Sequence, residues 1–441
     1  MRRIKRMLHT QFKSSSKAIT GIRRSHSYVG ILFGLIVSLF WGTAAAQENG
    51  DWPCFHGKSR NSKSAETGFL KKWPETGPEL LWTVTGLGEG YSSVSIARGY
   101  VFTAGKINKQ TYVFAFDLNG KEIWRMPNGN SWETQMSWAK EFPGPRSTPA
   151  YDDGFVYHFG ETGRLAAFDY RIGKEVWYVN LKENFEAEIP GFGYSESVLV
   201  DGDRLYCNPV GKKGFMVCLN KKDGKLIWTN REISGAARYS SPILGEFGGY
   251  RQIINMSSTC VYGVDTKTGK LLWNVEFKNR ESVNCTDPIF NNGYVIVSSG
   301  YGKGSGLIKL STSGEKIIPA IVWQTALMDN HHGGIILHEG YVYGSGMDSR
   351  GWFCLDVMTG KQMWKARGKG SLVFADNMLY CLEEQGTMRL VKATPEKYEE
   401  VSSFEVPKGG KGMHWAHPVV CGGRLYLRHK DNLFVYDIKG K

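Results

Sequence analysis

Tryptophan returns along this chain at a slowly varying interval: Trp82, Trp124, Trp177, Trp228, Trp273, Trp323 and Trp364, with gaps of 42, 53, 51, 45, 50 and 41 residues. Most copies close one phrase, small–x–Asp–x–x–x–Gly–Lys–x–x–Trp. It is complete at Ala167, Asp169, Gly173, Lys174, Trp177; at Gly263, Asp265, Gly269, Lys270, Trp273; and at Cys354, Asp356, Gly360, Lys361, Trp364. Asn220 replaces the acid in the copy ending at Trp228. The copy ending at Trp124 is one residue shorter, with Asp117, Gly120 and Lys121, and the copy ending at Trp323 is looser, keeping Leu310 and Gly314. A module this small cannot bury its apolar face alone, so the chain must stack equal modules in an array or close them in a ring.

Each part of the phrase has a physical task. Asp ends a strand and accepts from the backbone of the turn that follows. Gly supplies the positive φ of a tight hairpin. Trp opens the next strand and offers a flat surface of about 150–250 Å², which at about 25 cal/mol per Å² gives roughly 4–6 kcal/mol gross as an upper bound. Upstream of each phrase lies strand, polar turn, strand, as in Thr148–Gly160, Ser197–Pro209, Asp287–Gly300, Gly333–Gly346 and Pro418–His429. The alternation and the Asp-Gly, Asn-Gly and Gly-Gly turns are hairpin signals.

Four antiparallel strands per unit make one propeller blade. The hairpins begin near Ser92, Ser147, Ser195, Ser240, Thr286, Gly333, Ser371 and Ala416, which counts eight. The seventh unit carries Phe404 where its Trp belongs. The last breaks off at Val435, Asp437, Gly440, Lys441 with no Trp, and Glu79-Leu80-Leu81-Trp82 supplies the missing strand. The expectation is an all-β, eight-bladed propeller over residues 79–441, closed by its N-terminal strand, with 47–78 as a lead segment; an open array with a frayed end is the alternative.

Residues 1–46 differ. Eight Lys/Arg and no acid precede an apolar run from Val29 to Trp41, then Thr43-Ala44-Ala45-Ala46. This reads as an export signal, its apolar core short for a membrane span, and it places the protein in the periplasm or outside the cell. An uncleaved signal acting as a membrane anchor is the other reading. Setting those cations aside turns the formal +13 into 47 basic against 42 acidic residues, a surplus of +5. No basic cluster with interleaved aromatics stands out, so nucleic acid is not an expected partner.

The eight cysteines do not form a framework pattern. Cys218 and Cys354 fill the small slot of the phrase, and Cys207 and Cys381 sit at equivalent strand positions of different blades. A Cys207–Cys218 bridge across one hairpin stays open.

The repeated phrase resembles the tryptophan-docking repeat of quinoprotein-like β-propellers. That group includes pyrroloquinoline quinone (PQQ)-dependent alcohol dehydrogenases and non-catalytic relatives such as an outer-membrane assembly lipoprotein. The opening Trp52-Pro53-Cys54-Phe55-His56-Gly57, with Gly68-Phe69-Leu70-Lys71-Lys72-Trp73-Pro74, is similar to exported proteins described as polyvinyl-alcohol-dehydrogenase-like. The resemblance implies the fold; it does not decide activity.

Residues just before each innermost strand line one mouth of a propeller's channel, the default ligand site. Here they are Tyr91, Arg146, Tyr194, Glu196, Arg238, Tyr239, Asn284, Asp287, His331, His332, His414, Trp415 and His417. For PQQ, the resemblance implies Arg146 and Arg238 for the carboxylates, Trp415 as a flat face, Glu196 and Asn284 as oxygen ligands of Ca²⁺, and Asp287 as ligand and base. Glu196 and Asp287 read equally as strand-end caps or arginine partners. His331-His332 reads as a turn, and His414 and His417 lack the helix that would make their spacing a metal site. No vicinal cysteine pair and no CxxCH haem attachment is present. The expected role is binding or scaffolding of a protein or other extracytoplasmic ligand through blade loops and channel mouth; the alternative is a PQQ-dependent alcohol dehydrogenase or a decayed relative. A third reading is a hydrolase or lyase acting on an extracellular polymer. Converging Glu196, Asn284 and Asp287 oxygens would favour the dehydrogenase, facing carboxylates across an open cleft the third, and a mouth plugged by aromatics the scaffold.

Overall fold

The computed structural model describes residues 50–236 and 239–440; the expected export signal, 1–46, lies outside the described residues. Eight four-stranded antiparallel sheets follow one another in chain order. Blades 1 to 7 span residues 95–130, 150–180, 199–230, 243–276, 289–325, 335–366 and 370–405. Blade 8 takes three strands from 419–437 and its outermost strand, Glu79–Val84, from the other end of the chain. Glu79 pairs with Asp437, Trp82 with Val435 and Val84 with Leu433, closing the ring.

The middle strands are buried on both faces and read as apolar runs, such as Met216–Asn220 (MVCLN) in blade 3. The outermost strands alternate, with Trp228 buried and Leu226 and Ile227 exposed. Apolar clusters lie between consecutive blades, as where Tyr206 and Trp228 meet Tyr262 and Val264. Cys207 stands opposite Val217 and Cys218 opposite Tyr206, so the two thiols belong to different clusters and no bridge forms. All eight cysteines are free thiols.

The tryptophans couple neighbouring blades. Each indole N–H of Trp82, Trp124, Trp177, Trp228, Trp323 and Trp364 donates to a backbone carbonyl in the turn of the next blade, at 2.7 to 3.0 Å. In the first five of these the ring also lies on that blade's phrase glycine: a Cβ on Gly173 would meet Trp124 at 2.7 Å, and one on Gly269 would meet Trp228 at 2.5 Å. The glycine is therefore needed for the indole as well as for its positive φ. Asp117, Asp169, Asp265 and Asp356 accept from the amides two residues on, at 2.8 to 3.2 Å, as turn residues should.

Two positions depart from the phrase. Blade 5 ends in a longer hairpin, Gly304–Ser313 with Lys316–Thr325, which carries Gly314 to its tip with no neighbour within 4 Å. Trp273 turns back instead to Gln252 Oε1 of its own blade, at 2.6 Å. Phe404 of blade 7 packs on Gly77 of the lead, edge-on to Trp73 and Tyr436.

Residues 50–64 of the lead run through the channel and touch every blade. Trp52 bridges Ile96 of blade 1, and the Pro53 carbonyl accepts from Tyr151 N of blade 2. Arg60 donates to the carbonyls of Ser197 and Val198 beside blade 3 and of Pro242 beside blade 4. His56 meets Asp287 beside blade 5 and His417 beside blade 8. Lys63 reaches the Leu337 carbonyl in blade 6 and bridges Phe374 in blade 7. His56, Arg60 and Ser62 all have positive φ, of 64°, 49° and 55°, a conformation that side chains adopt only where surrounding contacts enforce it.

Candidate functional site

The mouth at which the innermost strands begin is covered by aromatic rings. Trp415 stacks on Phe142, with centroids 5.0 Å apart and planes at 21°, and leans on Tyr91 and His332. Its indole N–H donates to Glu384 Oε1 at 2.9 Å. Glu384 also lies 3.1 Å from Lys369 Nζ and 3.3 Å from His332 Nε2. Burial pushes the Glu384 carboxyl up, but His332 and Lys369 together pull harder and bring it to about 2.

Arg146 sits among Tyr91, Phe192 and Trp132, its guanidinium 5.4, 5.4 and 6.0 Å from their rings. It donates to the carbonyls of Phe192 (3.0 Å), Gly144 (3.2 Å) and Phe142 (2.7 Å). Arg238 lies outside the described residues. Tyr194 faces the core and donates to the Pro209 carbonyl, while the Tyr239 hydroxyl accepts from Phe192 N.

The three oxygen ligands expected for Ca²⁺ are committed elsewhere. Both Glu196 oxygens accept from Asn208, at 2.6 and 2.7 Å; burial raises its pKa to about 7 against those bonds and Arg60. Asn284 donates to the carbonyls of Ser257 and Phe277 and accepts from Ser299 Oγ at 2.6 Å. Asp287 accepts from Ser241 N at 2.6 Å, and its second oxygen is 3.3 Å from His56 Nδ1, an ion-pair distance without hydrogen-bond alignment. Of these oxygens only Asp287 Oδ2 is left without a hydrogen-bond donor. Among the described residues no group of three His, Cys, Asp or Glu is placed to hold a metal. With one face of Trp415 under Phe142, this set does not fit a calcium-bound PQQ.

The histidines form a chain instead. His417 Nε2 lies 2.6 Å from the His332 carbonyl and must donate to it, leaving Nδ1 to accept from His56 Nε2 at 3.1 Å. His56 Nδ1 then faces Asp287 Oδ2. Burial drives His417 and His331 well below the usual imidazole range. His414 stacks on His429, with centroids 3.8 Å apart.

Sequence reasoning placed Arg146, Trp415 and the histidines at this mouth. It missed Glu384, Lys369, Lys430 and Phe142, which come from turns and a loop between blades, and His56 and Arg60, which come from the lead. Trp52–Gly57 was visible only as a family likeness, because no periodicity marks a segment that threads a channel.

A family model described as outer membrane protein assembly factor BamB (PQQ_2) matches residues 109–366. Lupanine 17-hydroxylase [cytochrome c] from a Pseudomonas species is 26% identical over 199 residues, 41% of this chain and 26% of the relative. BamB of Kangiella koreensis is 26% identical over 222 residues, 48% of this chain and 49% of the relative. The chain thus covers at most about half the length of these curated relatives. Among solved structures, BamB of Moraxella catarrhalis superposes with a TM-score of 0.59 at 13% identity, covering 82% of this chain and all of that one. Quinohemoprotein alcohol dehydrogenase of Comamonas testosteroni gives 0.63 at 14% identity, covering 90% and 82%. At such identities the structural likeness establishes the fold.

Proposed function

The chain belongs to the outer membrane protein assembly factor BamB (PQQ_2) family of propellers, and from that premise we propose that it is a non-catalytic binding propeller working outside the cytoplasm, which holds a protein partner on its blade edges and mouth loops. The observation that carries this reading is the closed channel. Trp415, Phe142, Tyr91 and Arg146 cover one mouth and residues 50–64 cross the bore, leaving hollows of about 740 and 480 Å³ beside them, while the oxygens of Glu196 and Asn284 are spent on internal bonds. The outermost strands supply what the mouth lacks. They present Tyr178 (58% exposed), Leu226 (52%) and Ile227 beside backbone edges without a further strand, and such edges favour docking of another chain. Extracytoplasmic placement rests on the sequence of residues 1–46 and on the outer-membrane role named for the family.

Two measurements test this. Changing Leu226 and Ile227 to Lys should move the stability by no more than about 0.5 kcal/mol and abolish recovery of the partner from cross-linked envelopes. Adding Ca²⁺ and PQQ to the purified protein should leave its spectrum and thermal midpoint unchanged. A bound-cofactor spectrum with alcohol-dependent dye reduction overturns the proposal in favour of the PQQ-dependent alcohol dehydrogenase.

A further inference from the structure

We propose that the corner of the mouth where blade 8 meets blade 1 is an oxyanion site, in which Lys430, Arg428 and Arg146 gather around Tyr91 to hold a phosphate, sulfate or carboxylate group. The site is independent of whether the blade edges dock a partner.

Three cations meet here, none within ion-pair distance of a carboxylate among the described residues; Asp431, Glu89 and Glu161 act on Arg428, Lys430 and Arg146 only from further off. Lys430 donates to the Tyr91 hydroxyl at 2.7 Å and lies 4.1 Å from that ring. Arg146 covers the same ring at 5.4 Å. Arg428 is 1% exposed and packs behind them, donating to Ser92 O at 3.0 Å, to Thr103 Oγ1 at 2.9 Å, to Ala104 O, and from Nε to Lys430 O at 3.1 Å. Its Nη2 is buried with no hydrogen-bond partner. It lies against Gly90 and Gly105, where a Cβ would come within 3.3 and 3.0 Å.

The neighbouring acids are occupied. Asp431 accepts from the amides of Gly86 (3.1 Å) and Gly88 (2.6 Å), Glu89 faces Lys106 at 3.8 Å, and Glu161 takes the hydroxyls of Thr111 and Ser131. A buried charge without a partner is costly. Burial duly lowers Arg428 to about 9, against Asp431, and Lys430 to about 8, where Arg146 and Arg428 depress it further and Glu89 acts the other way.

The donor set selects the ligand class. Lysine and arginine only donate, and the Tyr91 oxygen, having accepted from Lys430, keeps its own proton to give. Donors grouped at Tyr91 suit an oxyanion, whose oxygens match a lysine ammonium and an arginine fork. A groove of about 800 Å³ between residues 86–89 and 409–411 reaches Lys430, lined by Lys106, Arg125 and Lys411 together with Glu89 and Asp431. Gly86 on one wall has nothing within 4 Å of its side-chain position, which leaves room for a ligand beside the backbone.

The test is titration of the purified protein with sodium phosphate at constant ionic strength, followed by tryptophan fluorescence, since Trp415 and Trp132 flank this corner. A parallel arm measures sedimentation with phosphatidylcholine vesicles with and without phosphatidylglycerol. Lys430→Gln and Arg146→Gln are compared with the wild type and with Lys430→Arg, their folding verified by circular dichroism. Saturable binding of free phosphate, weakened at least about tenfold in either Gln variant and kept in Lys430→Arg, supports the site and assigns it to a soluble anion. Retention on phosphatidylglycerol vesicles that is lost in the Gln variants, without response to free phosphate, supports the site and assigns it to a lipid phosphate. No response from the wild type in either arm, or equal responses from wild type and both Gln variants, overturns the proposal.

Discussion

Replacing Gly269 by alanine tests why the repeat holds together. Gly269 has φ +77°, and an added Cβ would lie 2.5 Å from Trp228 Cε3 and 2.7 Å from Cδ2. Two costs follow. Placing a Cβ in the left-handed region costs about 1–2 kcal/mol, and forcing a carbon into a packed contact adds about 1–3 kcal/mol. Displacing the indole further endangers its 3.0 Å bond to the Thr266 carbonyl, about 1 kcal/mol. The expected total is roughly 2–6 kcal/mol. Gly202→Ala is the control, because Gly202 has φ +58° and nothing within 4 Å; only the backbone cost of about 1–2 kcal/mol applies there. Equilibrium urea unfolding of both variants measures the difference. A third comparison isolates the contact: Gly269→Ala should cost less in a Trp228→Leu background than in the wild type, by about 1 kcal/mol or more. Equal losses for the two glycines, or no coupling to Trp228, would refute the indole-on-glycine account and leave only turn geometry.

Further expectations concern charge, thiols and the lead. Because burial raises Glu196 from its ordinary 4.5 to about 7, the folded state holds that proton more tightly than the unfolded chain. Its contribution is therefore fully present below pH 4.5 and is lost, up to about 3 kcal/mol, as pH rises to about 7; Glu196→Gln should remove this component from the stability–pH curve. His414 has the opposite sign, since burial and the neighbouring His429 lower it from 6.5 to about 4. Its share, also up to about 3 kcal/mol, is lost as pH falls through that range, and His414→Gln should flatten the acid limb. Arg60→Ala leaves three buried carbonyls short of a donor and should cost roughly 3–5 kcal/mol in urea unfolding. Alkylation without reductant should label all eight cysteines in urea, but in the native state only Cys54 and Cys285, the two that are not buried.

The ring was legible because it is periodic. The spacing of the tryptophans gave the modules, and the split between Trp82 and Asp437 gave the closure, which the pairing of the two end strands matches. Where periodicity fails, the reading failed with it. Trp273 looks like every other copy, yet its partner glycine was carried away by a hairpin whose length alone gave no sign of direction. Glu196, Asn284 and Asp287 have the right chemistry for a cation, but residue type does not show that Asn208, Ser299 and Ser241 already occupy their oxygens. Lys430 and Glu384 come from turns, where side-chain direction depends on single φ values such as the +52° of Lys430. The lead carries no strand pattern, so its path through all eight blades was invisible.

That path bears on biosynthesis. Arg60 and Trp82 emerge from the ribosome early, but their binding sites include blades translated later, and Glu79–Val84 finds its sheet only when Asn432–Asp437 arrives. Until then the edge of Glu79–Val84 stays unpaired, an arrangement prone to misassembly. A chain built this way gains from whatever shelters its first segment until the last is made, and a nascent chain arrested before blade 8 should be far more sensitive to proteases than the finished ring.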